Sequence, residues 1–122
     1  MTQEDYVSFE IAKLLKEKGF DYPSYCHYRL NNGELCNFNT NCNTNLKQND
    51  YITAPTIKMT MDWLREYHGL WIDIDILTSY RWTWSIWFMN EPDKKMGEAL
   101  QSISTYKEAC EAAIKYCLEH LI

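Results

Sequence analysis

The chain has 122 residues, 46% hydrophobic and 15% aromatic, with a formal net charge of −5, which suits one domain over 1–122 with a buried core and excludes a disordered chain. Twelve scattered Lys and Arg against seventeen Asp and Glu lack the cationic cluster that phosphate contacts need, so no direct nucleic-acid binding is expected. No apolar run approaches the ~20 residues of a membrane span, and the start Met-Thr-Gln-Glu-Asp has no signal-peptide pattern, so a cytoplasmic protein without membrane contact is expected.

Hydrophobic periodicity predicts a first helix over about 3–18, capped by Thr2 with Asp5 in a variant capping box. Val7, Ile11, Leu14 and Leu15 share one side, Lys13, Lys16, Glu17 and Lys18 face water, and Gly19-Phe20 is the stop. A hairpin follows at Asn32-Gly33, where a two-residue turn pairs Asn31 with Glu34 and Leu30 with Leu35. From Cys36 to Leu46 the chain alternates, with Asn at 37, 39, 41, 43 and 45 forming an amide face that reads as a solvated strand edge ending in a loop to about 52.

An odd set of five cysteines (26, 36, 42, 110, 117) without a secretion signal reads as reduced thiols. There is no CxxC or CxxxC, and the loose group Cys26-His27, Cys36, Cys42 has unsuitable spacing for zinc. His27, His68 and His120 have no nearby Ser or Cys arrangement that suggests a nucleophile and base, and the isolated glycines make no phosphate loop. No metal or cofactor is expected.

"TAPTIKMTMDWLREYHGL" predicts the second helix, with Pro55 at its first position and Gly69 as its stop. Ile57, Met61, Leu64 and His68 form its stripe, flanked by Trp63 and Tyr67. The third helix spans about 106–121, opened by a Thr105/Glu108 capping box, with Cys110, Ala113, Ile114, Cys117, Leu118 and Leu121 as its apolar stripe and Glu111–Lys115 as a surface pair.

Between them, "LWIDIDILTSYRWTWSIWFMN" (70–90) carries four of the five tryptophans. A two-residue turn at Thr78-Ser79 would set isoleucines beside Arg81 and Thr83. A three-residue turn at 78–80 instead pairs Leu77 with Arg81, Ile76 with Trp82, Ile74 with Trp84 and Ile72 with Ile86, so burial selects the odd turn. Trp82 and Trp84 then join the core. The other face carries Trp71 opposite Trp87, with Asp73, Asp75, Arg81, Thr83 and Ser85, and a small cross-strand ion pair between Asp75 and Arg81 is plausible. Trp71, Asp73, Asp75, Arg81 and Trp87 are the candidate partner-binding residues, because aromatics among charges suit a recognition surface. A solvated face carrying a stabilising Trp–Trp pair is the plainer reading. Asp73-Ile74-Asp75 points two carboxylates one way, as a divalent cation would need, with no evident third ligand.

"YVSFEIAKLLKEKGFD" (6–21), "APTIKMTMDWLREYH" (54–68) and "YKEACEAAIKYCLEHLI" (106–122) resemble a group of small uncharacterised proteins of gut Bacteroidales and their phages and mobile elements. The group has no established activity, so the resemblance implies an origin in phage or mobile DNA and carries over no functional residue. The element order helix, hairpin, helix, hairpin, helix implies an α+β domain whose antiparallel sheet has helices mainly on one face. The expected function is non-enzymatic: a small interaction protein with a protein partner, itself a monomer or homodimer. Two alternatives are an acidic inhibitor of a host nuclease or defence protein that mimics nucleic acid, and a small divalent-metal enzyme using Asp73 and Asp75.

Overall fold

Each stretch of helical period forms a helix, and the alternating stretches form strands, but in two sheets where the sequence suggested one. The computed structural model describes residues 6–45 and 50–122. It is α+β, with three α-helices and two antiparallel three-stranded sheets of order β2-β1-β3 and β4-β5-β6. The chain divides into two compact units, Met1–Thr60 and Met61–Ile122.

In the first unit α1 spans Phe9–Glu17, capped by Ser8, whose hydroxyl accepts from the Ile11 N–H at 3.4 Å. The expected Thr2 cap and Asp5 lie outside the described residues. The helix begins later than about residue 3, since Tyr6 and Val7 pair with the 55–56 segment instead of joining it. Tyr6 bridges to Thr56, and the Val7 N–H donates to the Pro55 carbonyl at 3.0 Å. Ile11, Ala12 and Leu15 are buried, and the Phe9 ring packs on Tyr28 at 5.4 Å.

Strands β1 (Ser24–Arg29) and β2 (Leu35–Cys42) form the first hairpin, with Tyr28 opposite Leu35. The Asn31–Glu34 and Leu30–Leu35 pairings are corrected, since the Arg29 N–H donates to the Glu34 carbonyl and residues 30–33 form a four-residue loop. Two features favour it. The Asn32 side chain accepts from the Glu34 N–H at 2.9 Å, and Gly33 takes φ 69°, a left-handed conformation that costs glycine little. The register moves by two, so every side chain keeps its face.

The alternation of β2 does not run unbroken either. Asn39 has φ 58°, and the register shifts between Ser24 and Cys26, so there is no continuous amide face. Strand β3 (Tyr51–Thr53) pairs with β1, where the sequence suggested loop.

Helix α2 (Ile57–His68) starts in the first unit and ends in the second. Its cap is Thr56, whose hydroxyl accepts from the Met59 N–H at 3.1 Å, so Pro55 precedes the helix instead of opening it. Gly69, at φ 65°, stops it as expected. Trp63 and Leu64 are its buried side chains in the second unit, so Trp63 belongs to the core and not to a flank, whereas Tyr67 is exposed.

The second unit holds β4 (Leu70–Thr78), β5 (Arg81–Phe88), β6 (Glu91–Glu98) and α3 (Tyr106–Tyr116), which continues as a π-helical turn over Cys117–Leu121. The β4–β5 register follows the burial argument: Trp71–Trp87, Ile72–Ile86, Asp73–Ser85, Ile74–Trp84, Asp75–Thr83 and Ile76–Trp82. Only the tip differs. Thr78 rather than Leu77 opposes Arg81, Leu77 is bulged, and Tyr80 takes the left-handed position at φ 62°.

Helix α3 buries Cys110, Ala113, Ile114, Cys117 and Leu118, as its stripe implied. Thr105 caps it by accepting from the Glu108 N–H at 3.0 Å, but Glu108 takes the Ser104 hydroxyl at 3.1 Å. Glu111 pairs with Lys107 at 3.6 Å, one turn earlier on the helix. Tyr106 and Tyr116 contact Trp82 and Trp84 at 5.3 and 5.4 Å between ring centres. A Cβ at Gly97 would lie 2.5 Å from the Tyr116 ring, so only glycine permits this approach of β6 to α3.

Candidate functional site

Alternation along β4 and β5 sets Trp71 and Trp87 directly opposite each other on the face away from Trp82, Trp84 and Ile86. The face is arranged in rows. Trp71, Trp87 and Lys95 form the first, Asp73, Ser85 and Glu98 the second, and Asp75 and Thr83 the third.

Trp71 is 45% exposed, and the Arg65 guanidinium lies 5.9 Å from its ring centre. Trp87 is half-buried, with the Lys95 ammonium 5.4 Å from its ring centre, and its indole N–H donates to the Ser85 hydroxyl at 3.1 Å. The two indoles make no ring contact with each other among the described residues, so each rests against a cation.

Those cations are already neutralised. Arg65 pairs with Asp62 at 3.0 Å, and Lys95 pairs with Glu98 at 3.0 Å. Asp73 and Asp75 are different: both are exposed, and neither has an ion-pair or hydrogen-bond partner among the described residues. Arg81 does not reach Asp75. Its guanidinium donates to the Ser102 hydroxyl and carbonyl at 2.8–3.0 Å, which two fixed acceptors favour over one mobile carboxylate.

Of the five candidate residues, the structure places Trp71, Asp73, Asp75 and Trp87 on one continuous face and ties Arg81 into the 99–105 connection. Lys95 and Arg65 join that face without having been foreseen. Lys95 lies on β6, whose sequence "EPDKKMGE" has no apolar alternation to mark a strand. Arg65 lies on a helix, and its place above Trp71 is a tertiary fact. The tryptophans divide as the register implied at the extremes, Trp84 being buried and Trp71 exposed, whereas Trp82 and Trp87 are both intermediate.

A second cluster was only partly legible, as the loose group of Cys26-His27, Cys36 and Cys42. His27, fully buried, has Cys42 Sγ 3.4 Å from Nε2, the Ser24 carbonyl 3.0 Å from Nε2 and the Thr44 hydroxyl 2.9 Å from Nδ1. A cysteine thus lies beside one of the three histidines.

The arrangement still does not make a nucleophile and base. A carbonyl can only accept, so Nε2 carries the proton and the lone pair sits on Nδ1, where the Thr44 hydroxyl donates. The nitrogen beside Cys42 therefore has no lone pair to take the thiol proton. Burial holds His27 below its ordinary value of 6.5, opposed by the bond to Ser24. Burial also pushes the Cys110 thiol up and the Cys117 thiol up to about 12, which leaves both as inert core residues.

Among the described residues no three His, Cys, Asp or Glu gather as a metal site, and no helix is long and apolar enough to cross a membrane. A shallow cavity of about 360 Å³ lies at the open end of the first sheet, beside Arg29 and Tyr51. Arg29 there leans on Tyr51 at 5.7 Å, with its Nε unbonded.

No protein-family model, curated protein or solved structure matches this chain.

Proposed function

We propose that the protein is a non-enzymatic interaction module of phage or mobile-element origin, acting in the cytoplasm and binding a protein partner through the outer face of β4-β5-β6. The observation that carries this reading is the juxtaposition of exposed Trp71 with two unpartnered carboxylates, Asp73 and Asp75, on one regular strand. Aromatic surface supplies contact area at little entropic expense, and free charges supply orientation and partner choice. Arg65 and Lys95 hold the two indoles in place, which reduces what binding must order. In this reading the helical cover of the sheet is one-sided. Helix α3 lies over Trp82 and Trp84, and the Trp71 face is left for the partner.

The test compares wild type with the Trp71→Ala/Trp87→Ala double variant as baits in a gut Bacteroidales lysate, read by mass spectrometry. The reading requires that specific partners be lost from the variant. An unchanged partner list would end it. The free carboxylates also favour a second reading, an acidic inhibitor in which charge dominates. That version requires a complex that weakens steeply with salt and survives removal of both indoles.

A further inference from the structure

The two edges of the second sheet are built in opposite ways. Strand β6 carries Pro92, Lys94, Lys95 and Gly97, and its pairing with β5 shifts register twice, so it is a broken and charged edge. Those are the devices by which sheets prevent further strands from adding.

Strand β4 lacks the proline, the lysines and the glycine, and carries only Asp73, Asp75 and a bulge at Leu77 near its end. It runs nine residues without proline, lysine or glycine, and its pairing with β5 is regular from Leu70 to Ile76. Its other side pairs with no strand among the described residues. Leu70 and Ile72 are buried, but from Asp73 to Thr78 every residue is exposed except the half-buried Ile74, and alternate residues of that stretch turn their N–H and C=O groups to the side away from β5. Exposed Ile76 and Leu77 lie at the end of that stretch.

We infer that the Asp73–Thr78 edge of β4 is a strand-addition site for an extended basic segment of another protein, one with Lys or Arg at two positions two residues apart. The charges select this occupant over a second copy of the chain. Antiparallel pairing of two β4 strands about residue 74, which keeps their apolar faces together, sets Asp73 of each copy against Asp75 of the other, and pairing about residue 73 or 75 sets one aspartate against its own counterpart. Like charges directly opposite destabilise a strand pair, whereas a cation opposite each carboxylate stabilises it. Neither carboxylate has a partner among the described residues, and the net charge of −5 attracts the same segment at long range. The added strand takes the free N–H and C=O groups of the edge, while its cations lie in the Asp73 and Asp75 rows. This inference rests on the outer face being the binding face, and it names the kind of partner and the contact.

The probe is a fluorescein-labelled peptide, Thr-Lys-Val-Lys-Val-Lys-Thr, followed by anisotropy with the whole chain. Saturable binding is expected. Asp73→Asn/Asp75→Asn, both surface changes checked by circular dichroism, should weaken it about fivefold. A peptide of the same sequence N-methylated at alternate residues should not bind, because it cannot complete the ladder. Equal binding of the N-methylated peptide, or of one with Glu in place of Lys, overturns the inference. So does a wild-type dimer in equilibrium sedimentation whose formation abolishes binding of the peptide. The two readings fail separately. Partner loss in Trp71→Ala/Trp87→Ala without N-methyl sensitivity keeps the face and removes the edge, whereas N-methyl-sensitive binding with an unchanged partner list keeps the edge.

Discussion

His27 is held by the Ser24 carbonyl, the Thr44 hydroxyl and, at 4.3 Å, the Phe38 ring. A buried neutral imidazole so enclosed gains nothing from a proton, and burial lowers its affinity for one. The unfolded chain then binds more protons than the folded chain once the pH falls below 6.5. The stability His27 contributes is therefore complete above that value and is lost as the pH falls toward the depressed folded value. His68, also lowered by burial, adds in the same direction. Urea denaturation at about pH 7.5 and about pH 5 should show the wild type weaker in acid, with much of the difference gone in His27→Gln. An unchanged difference would place the acid sensitivity elsewhere.

The asparagines teach a related lesson. Asn45 donates to the Phe20 carbonyl and accepts from the Thr53 N–H, and Asn43 donates to the Asp21 carbonyl. They fasten a loop instead of lining an edge. Their regular spacing was visible in the sequence, but their partners lie 8–25 residues away along the chain and were not.

Among the elements, the second hairpin was the most legible. Its register followed from one requirement, that Ile72, Ile74 and Ile76 share a face with Trp84 and Ile86, because any one-residue slip would put them in water. The tip is where that argument stops, since turn geometry answers to backbone conformation and not to burial. Tyr80 at φ 62° is 89% exposed, so its ring offsets little of the backbone strain. Tyr80→Gly should stabilise the fold by about 0.5–1 kcal/mol, read as a higher urea midpoint at unchanged slope. A lower midpoint would show that the tyrosine ring contributes something its exposure hides. Strand β6 was illegible for the reason that makes it a protected edge: proline, lysines and glycine are placed to deter pairing, and they mask the strand signal as well. The cap of α1 and the first position of α2 were misplaced because several Ser and Thr compete near each start, and the extended pairing of Tyr6 with Thr56 decides between them.

At the scale of the whole molecule, five tryptophans report on the division between core and surface. Trp63 and Trp84 are 2% and 7% exposed, against 45% for Trp71. Acrylamide should therefore quench the emission in two components, and Trp71→Phe should remove most of the accessible one. A variant as quenchable as the wild type would mean that Trp71 is not on the surface. The α+β class and the stripe of α3 were determined by the sequence alone, as was the pairing of Trp71 with Trp87, because local periodicity and the need to bury apolar side chains leave few arrangements. Three matters were decided only by the tertiary structure: the division into two sheets, the cations over the indoles, and the enclosure of His27. Each depends on groups distant in the chain meeting in space, and no local pattern encodes such a meeting. The same holds for the open edge of β4. The absence of proline and lysine in "LWIDIDILT" can be read from residues, but that no strand among the described residues pairs beside it is a property of the fold.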